Sequence, residues 1–170
     1  MLYQEMVRTL NLPLDGKTQL REAVRAVIIK DKRLLMIYSL NGGDYKFPGG
    51  GVDITETKES ALIREVREEC GATVISIKDE IGKMIEFDRP LKEQYSVFKM
   101  ISTYYLCEVD PIFGKQILDS YEKNLGFTPV WVDIDEAIVV NKELIDSNRF
   151  PRWTPRELYV LEYLKRMFNL

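Results

Sequence analysis

The sequence predicts one α/β domain in which a mixed, partly antiparallel sheet lies between helices. Two apolar segments around a tight polar turn predict neighbouring strands. A capped segment with three closely spaced glutamates predicts a helix, and a second capped segment at the end of the chain predicts another. The 170 residues are enough for one domain with a substantial core.

The chain is predicted to begin with an N-terminal arm, residues 1–18, because Pro13 and Gly16 interrupt any regular pattern there. The remaining residues, 19–170, form the single predicted domain. Its first segment, "AVRAVIIKDKRLLMIYS", is apolar on nearly every residue on both sides of Asp31-Lys32. Such segments are typical of paired strands in a sheet that is covered on both faces.

The central helix is predicted from about Lys58 to Cys70. Thr57 is a suitable N-cap residue, and Gly71 is the expected stop after the last turn. Downstream, long apolar segments predict further strands, and residues 110–126 show no regular pattern. The predicted strands are "ATVISIKDEIGKMIEF", "EQYSVFKMISTYYLCEV" and "PVWVDI".

Two helical regions are predicted after the last strand. "DEAIVVNKELIDS" predicts one or two short helices, and the final helix has Thr154 as its N-cap. Pro155 at the first helical position and Glu157 two residues later complete a capping box.

Composition excludes several classes of function. The chain has 24 basic and 27 acidic residues, a formal net charge of -3, and no histidine. This balance predicts no stable nucleic-acid binding and no basic membrane anchor, and the lack of histidine excludes His-based catalysis. The two cysteines, Cys70 and Cys107, form no CxxC pair and are predicted to be buried. Because the sequence shows neither a secretory signal nor an apolar segment of membrane-spanning length, we expect a cytoplasmic protein.

The central helix carries Glu65, Glu68 and Glu69 on one face, at spacings of three and four residues. Each like-charged pair at such a spacing costs roughly 0.2–0.5 kcal/mol. Two interpretations remain open from the helix alone: a solvated acidic face, or a site for a hard cation such as Mg²⁺.

The spacing between this helix and the preceding glycine loop resembles the Nudix box. Gly50 is followed after five residues by Glu56 and after seven more by "REVREECGA", residues 64–72. Every glycine, glutamate and arginine of the pattern is present. Ala72 is smaller than the aliphatic residue that the family prefers, and Thr55 stands where many members have glycine.

The resemblance implies a Nudix-type α-β-α sandwich and a hydrolase that requires Mg²⁺, or Mn²⁺ in its place. Its substrate would be a small molecule, a nucleoside diphosphate linked to another group X, with water attacking at phosphorus. A Nudix-like domain that binds a nucleotide without hydrolysing it is the alternative function, and a plain interaction domain is a third. The family also leaves a homodimer open.

The resemblance also implies roles for individual residues. Glu65, Glu68 and Glu69 would bind the metal, and Arg64 would hold glutamates in place through an ion pair with Glu56 or a helix carboxylate. The predicted catalytic residues are therefore Glu68, Glu65, Arg64 and Glu56.

The predicted substrate-binding residues are Gly49, Gly50, Gly51 and Arg25. The glycines let the backbone approach phosphates closely, although an ordinary flexible loop would have the same composition. Arg25 interrupts an apolar strand, either to reach a phosphate or to point from a sheet edge into water.

For two roles the sequence leaves several candidates. The general base is a box glutamate or an acid from another loop, by residue type Glu86, Glu93, Asp119 or Glu122. A nucleobase could stack on an aromatic side chain. Tyr45 and Phe47 are the best placed before the glycine loop, with further candidates at Tyr95, Phe98, Tyr104 and Tyr105.

Overall fold

A computed structural model describes all residues, 1–170, and contains seven strands and four helices. The strands are β1 (Leu2–Val7), β2 (Thr18–Lys30), β3 (Arg33–Ser39), β4 (Tyr45–Lys46), β5 (Val74–Asp88), β6 (Val97–Val109) and β7 (Phe127–Asp133). The helices are α1 (Lys58–Cys70), α2 (Ser120–Leu125), α3 (Ile134–Asp146) and α4 (Thr154–Phe168).

All seven strands belong to one sheet. Six of them follow the order β1-β5-β6-β2-β3-β4, and the seventh, β7, pairs with β3 outside this order. The pairs β1–β5 and β2–β6 are parallel, and the other pairs are antiparallel. The predicted mixed, partly antiparallel sheet is therefore confirmed.

The sheet is covered on both faces. On one face, α1 packs Ala61, Leu62 and Val66 against Val24 and Ala26 of β2. On the other face, α3 and α4 cover a second core. Its fully buried members include Met36, Tyr104, Ala137, Val160, Leu161 and Leu164. This arrangement is the α-β-α sandwich that the sequence predicted.

The β2–β3 hairpin turns at Asp31 and Lys32, as predicted. Both residues have positive φ angles, 49° and 62°, which a two-residue turn of type I′ requires. The helix α1 also begins and ends at the predicted residues. The Thr57 hydroxyl accepts a hydrogen bond from the Ser60 N–H at 3.1 Å, and Gly71 closes the helix with a φ of 67°.

The first 18 residues include a strand of the sheet, where the sequence predicted an arm without regular structure. β1 pairs with β5 from Leu2↔Gly82 to Val7↔Phe87, and Leu2 is buried. Arg8, which follows the strand, donates to the Glu86 carboxylate and to the Arg152 carbonyl. The division into an N-terminal arm, residues 1–18, and a single domain, residues 19–170, stays a prediction.

The predicted capping box at the start of α4 is wrong. Thr154 is the first residue of the helix, and its hydroxyl donates to Asp44 at 3.3 Å. The Glu157 carboxylate accepts from the Phe47 N–H at 3.1 Å and from the buried Arg156 guanidinium. Tertiary partners therefore replace the local cap, and they tie α4 to the segment before the glycine loop. None of the four helices has the length and apolar character needed to span a membrane.

Candidate active site

A cleft of about 470 Å³ opens beside α1, and its floor is one face of the sheet. Residues from eight parts of the chain line it, and most of them are charged or aromatic. They include Arg8, Arg21, Arg25, Lys46, Glu65, Glu69, Glu86, Asp88, Arg89, Phe98, Met100, Asp119, Tyr121, Glu122, Phe127, Arg152, Trp153 and Arg156, together with Gly49, Gly50 and Gly51. The predicted glycine loop, Arg25 and the predicted metal-binding helix thus meet at one place.

Three carboxylates converge in this cleft. Glu65 and Glu69 project from α1 and Glu122 from α2, and one oxygen atom of each lies within 4.8 Å of the others. Glu68 is outside this group. Its side chain is about one-third exposed, and its Oε2 atom accepts from Arg64 at 3.1 Å. The structure therefore brings together two of the three glutamates predicted as metal ligands, and it adds Glu122.

The helix α2 places Glu122, although the sequence analysis assigned residues 110–126 no regular structure. Asp119 and Glu122 form a reciprocal capping box, with the Glu122 N–H 2.8 Å from Asp119 Oδ1. The local sequence Asp-Ser-Tyr-Glu carries this signal, since an N-cap acid followed three residues later by glutamate favours a helix start. Glu122 was identified from sequence only by residue type, as one of four candidate bases.

Arg64 forms the ion pair with Glu56 that the resemblance implied. Its Nη2 atom is 2.6 Å from Glu56 Oε1, and its Nη1 atom is 2.8 Å from Glu65 Oε1. It also donates to the Gly51 carbonyl at 3.1 Å. The Arg64 guanidinium, followed by the Asp53 N–H, lowers the pKa of Glu56. One guanidinium thus connects the start of the box, the glycine loop and α1.

The glycine loop lies along β2, which fixes its backbone. Val24 and Ala26 donate from their N–H groups to the Gly50 and Pro48 carbonyls at 2.9 and 2.8 Å. The Gly49 N–H donates to Glu69 Oε2 at 2.8 Å. At Gly50, a Cβ atom would lie 2.5 Å from Oε2 of Glu65, so the absent side chain leaves the space that this carboxylate occupies.

Burial is the main influence on the titration of two of these carboxylates, Glu65 and Glu122. Burial, and then the charge of Glu69, raises the pKa of Glu65 above its usual range. Burial is also the main cause that raises the pKa of Glu122. A bound cation would offset both effects, because it would stabilise the charged carboxylates.

Arg25 faces the cleft and not the solvent beyond a sheet edge, since β2 has neighbours on both sides. Its side chain is buried, its Nη1 atom donates to the Gly49 carbonyl, and its Nε atom has no hydrogen-bond partner. Burial, followed by the charge of Arg156, lowers its pKa. A buried guanidinium with an unpaired N–H is suited to an anionic ligand group.

The other predicted candidates separate into two groups. Asp119, Glu122 and Glu86 line the cleft, whereas Glu93 does not. Arg8 and Arg156 both pair with Glu86. Among the aromatic candidates, only Phe98 lines the cleft. Tyr45 and Phe47, which were predicted to be the best placed for a ligand, are buried in the hydrophobic core. Sequence reasoning missed the cleft aromatics Tyr121, Phe127 and Trp153.

Lys46 is a further charged residue that the sequence analysis missed. Its Nζ atom is 2.5 Å from Glu69 Oε1, and its side chain is only 7% exposed. The signal available from sequence was a single charge between Tyr45 and Phe47, in a segment where the neighbours are apolar.

Known proteins are similar to this chain in sequence and in fold. The family described as "NUDIX domain" matches residues 19–154. An RNA pyrophosphohydrolase of Nitratiruptor sp. is 31% identical over 127 residues, which are 72% of this chain and 74% of that protein. An 8-oxo-dGTP diphosphatase of Haemophilus influenzae is 36% identical over 134 residues, 75% of this chain and 82% of that protein. A NUDIX hydrolase from Nitrosomonas europaea has the same fold, with a TM-score of 0.55 at 19% identity, over 79% of this chain and 94% of the other.

The fold and the box together define a hydrolase of diphosphate bonds. The chain belongs to the Nudix family.

Proposed function

We propose that the protein is a pyrophosphohydrolase that requires a divalent metal, Mg²⁺ or Mn²⁺, and that cleaves a nucleoside diphosphate linked to another group. The observation that carries the proposal is the convergence of Glu65, Glu69 and Glu122 beside a glycine loop and a buried arginine. Nudix hydrolases generally use divalent metals, and carboxylate oxygens are the ligands that Mg²⁺ prefers.

The residues present fit such an ion. The three carboxylates supply hard oxygen donors from two different helices, and Glu65 and Glu69 are buried. The space at Gly50 keeps the Glu65 carboxylate directed into the cleft. Glu68 has an indirect role in this proposal. Arg64 donates hydrogen bonds to both Glu65 and Glu68, and it thereby fixes the exposed end of the same helix face.

When bound, the metal would neutralise the diphosphate and lower the pKa of a coordinated water. The chain's own residues perform the remaining tasks. Arg25 presents an unpaired Nε–H to a phosphate oxygen, and the loop from Gly49 to Gly51 lets the diphosphate approach the backbone. Arg64 and Glu56 hold α1 against this loop.

The attacking water must lose a proton to a carboxylate of the cleft. Glu65 is our first candidate, because its Oε2 atom has no hydrogen-bond donor. Glu122, whose carboxylate also lines the cleft, is the second candidate.

We propose that the nucleoside portion lies on the sheet face beyond Arg25. Phe98 and Met100 of β6 line the cleft there, and Met100 pairs with Arg21 of β2. Met100 and Tyr104, the partner of Arg25, are four positions apart along β6. At about 3.3 Å per residue this is roughly 13 Å, which leaves room for a nucleoside beyond a diphosphate at Arg25.

A substrate panel with Mg²⁺ or Mn²⁺ tests the proposal. The panel contains oxidised nucleoside triphosphates, ADP-ribose, nucleotide sugars, dinucleoside polyphosphates and RNA with a 5′-triphosphate. We expect turnover of at least one compound, its loss in chelator, and a decrease of about 10²-fold or more in Glu69→Gln. Glu59→Gln, on the exposed first turn of the same helix, is the matched control.

Two results would contradict the proposal. Turnover that is unaffected by chelator or by Glu69→Gln would refute the metal site. Tight nucleotide binding without turnover of any compound would favour a nucleotide-sensing domain. We further propose a cytoplasmic protein that acts on a soluble small molecule without stable nucleic-acid binding, and the RNA in the panel tests the last point.

A further inference from the structure

Lys46 lies beside the carboxylates of the cleft, and the backbone that carries it is held in place. Its Nζ atom contacts Glu69 Oε1 at 2.5 Å and lies 4.5 Å from the centre of the Phe127 ring. The side chains of Lys46 and Glu69 are 7% and 3% exposed. Side-chain entropy and water therefore weaken this ion pair far less than they weaken a surface pair.

The backbone on both sides of Lys46 is anchored by distant buried side chains. Asn141 accepts from the Tyr45 N–H at 2.9 Å and donates to the Tyr45 carbonyl at 2.8 Å. Glu157 accepts from the Phe47 N–H at 3.1 Å. Three elements, β4, α3 and α4, thus set the position of one ammonium group beside Glu69.

An ammonium and a divalent ion both require the charge of the Glu69 carboxylate. Two like unit charges 4 Å apart repel measurably even at the effective dielectric constant of a protein surface, and a divalent ion doubles the effect. A metal bound among Glu65, Glu69 and Glu122 would have to share Glu69 with Lys46.

We propose that the Lys46 ammonium competes with the divalent metal for Glu69 in the free protein, and that it contacts a phosphate oxygen when the substrate is bound. The second half of this inference, the contact with the substrate, rests on the proposed function. In the free protein, Lys46 weakens metal binding. In the complex, the diphosphate adds negative charge, so the ammonium and the metal stabilise it together and no longer compete.

Mn²⁺ titrations followed by electron paramagnetic resonance test the first half without any turnover. Lys46→Met and Lys46→Gln remove the charge, and the glutamine keeps a hydrogen-bond donor for Glu69 if the methionine variant does not fold. We expect both to bind Mn²⁺ about tenfold more tightly than the unmodified protein. Lys46→Arg keeps the charge and should bind as the unmodified protein does. Lys78→Met is the matched control, because Lys78 pairs with Glu108 away from the cleft.

Steady-state kinetics at saturating Mn²⁺ test the second half. The neutral variants should lose about tenfold or more in kcat/KM, since a charge-assisted contact to phosphate is lost. Lys46→Arg should recover most of this loss. Equal or weaker Mn²⁺ binding by Lys46→Gln, or by both neutral variants, overturns the proposal. Full kcat/KM together with tighter Mn²⁺ binding overturns the substrate contact.

Failure of the proposed function gives a different result. If no compound of the panel is hydrolysed, the order of Mn²⁺ affinities still decides whether Lys46 competes with the metal. If neither the unmodified protein nor the neutral variants bind Mn²⁺, the inference is refuted.

Discussion

The substitution Gly50→Ala separates the geometry of the site from the stability of the fold. The new Cβ would meet the whole Glu65 carboxylate: Oε1 is the nearest atom, and Cδ and Oε2 follow at 2.5 Å, whereas real Cβ atoms keep at least 3.0 Å and ordinarily 3.4 Å or more. The carboxylate must therefore retreat by about 0.5 to 1 Å, the difference between these distances. A displacement of about 1 Å at a reacting group costs on the order of 10²-fold in rate.

The fold should tolerate this change, because the crowded atoms are the end of a flexible side chain. We expect Gly50→Ala to shift Tm by less than about 2 °C while kcat/KM falls on the order of 10²-fold. Gly49→Ala should behave differently. Gly49 has a φ of 137°, and its Cβ would overlap the Val24 carbonyl oxygen, which belongs to the backbone of β2.

Gly49→Ala should lose about 3 kcal/mol of stability, or roughly 6–12 °C in Tm for a chain of this size. Gly114→Ala is the control, since its Cβ would meet only the Gly71 carbonyl at 3.6 Å. Differential scanning calorimetry and the kinetics of the best panel substrate provide both readouts. Unchanged kcat/KM in Gly50→Ala would refute the role of Glu65, and a loss of Tm equal to that of Gly49→Ala would refute the distinction between the two glycines.

Three further predictions concern buried groups. Arg156→Met would leave Glu157 without a charged partner and Glu86 with Arg8 alone, and it should cost about 3–5 kcal/mol in urea unfolding. Burial raises the pKa of Asp44 to about 6; the stability that its protonation adds is fully present below about pH 4 and is lost as the pH rises through 6. Asp44→Asn should therefore flatten the dependence of Tm on pH between 4 and 7, and an unchanged slope would contradict this. Burial raises the pKa of the Cys70 thiol, so iodoacetamide at pH 8 should label it only in denaturant.

Signals between near neighbours in sequence predicted the local structure well. The turn at Asp31-Lys32 and the ends of α1 at Thr57 and Gly71 depend on conformations and caps that involve only a few residues. The ion pair between Arg64 and Glu56 also follows from a short spacing. Such features remain predictable because their partners are close along the chain.

Long-range partners decided the features that the sequence did not predict. β1 exists because β5 accepts it, 80 residues further on at Leu2↔Gly82. Thr154 and Glu157 match a local capping box, yet their side chains form hydrogen bonds with Asp44 and Phe47, 110 residues away. Lys46 and Glu122 enter the site in the same manner, because neither is near Glu69 in sequence.

The position of β1 at the edge of the sheet also sets an order of events during synthesis. The first strand leaves the ribosome well before its partner, since Leu2 pairs with Gly82 and Val7 with Phe87. At about 5–20 residues per second, the strand waits roughly 4–16 s for β5. Arg8 waits longer still, because its contact with the Arg152 carbonyl forms only after residue 152 has been made. The strand β1 is therefore made well before the segments that hold it in the sheet.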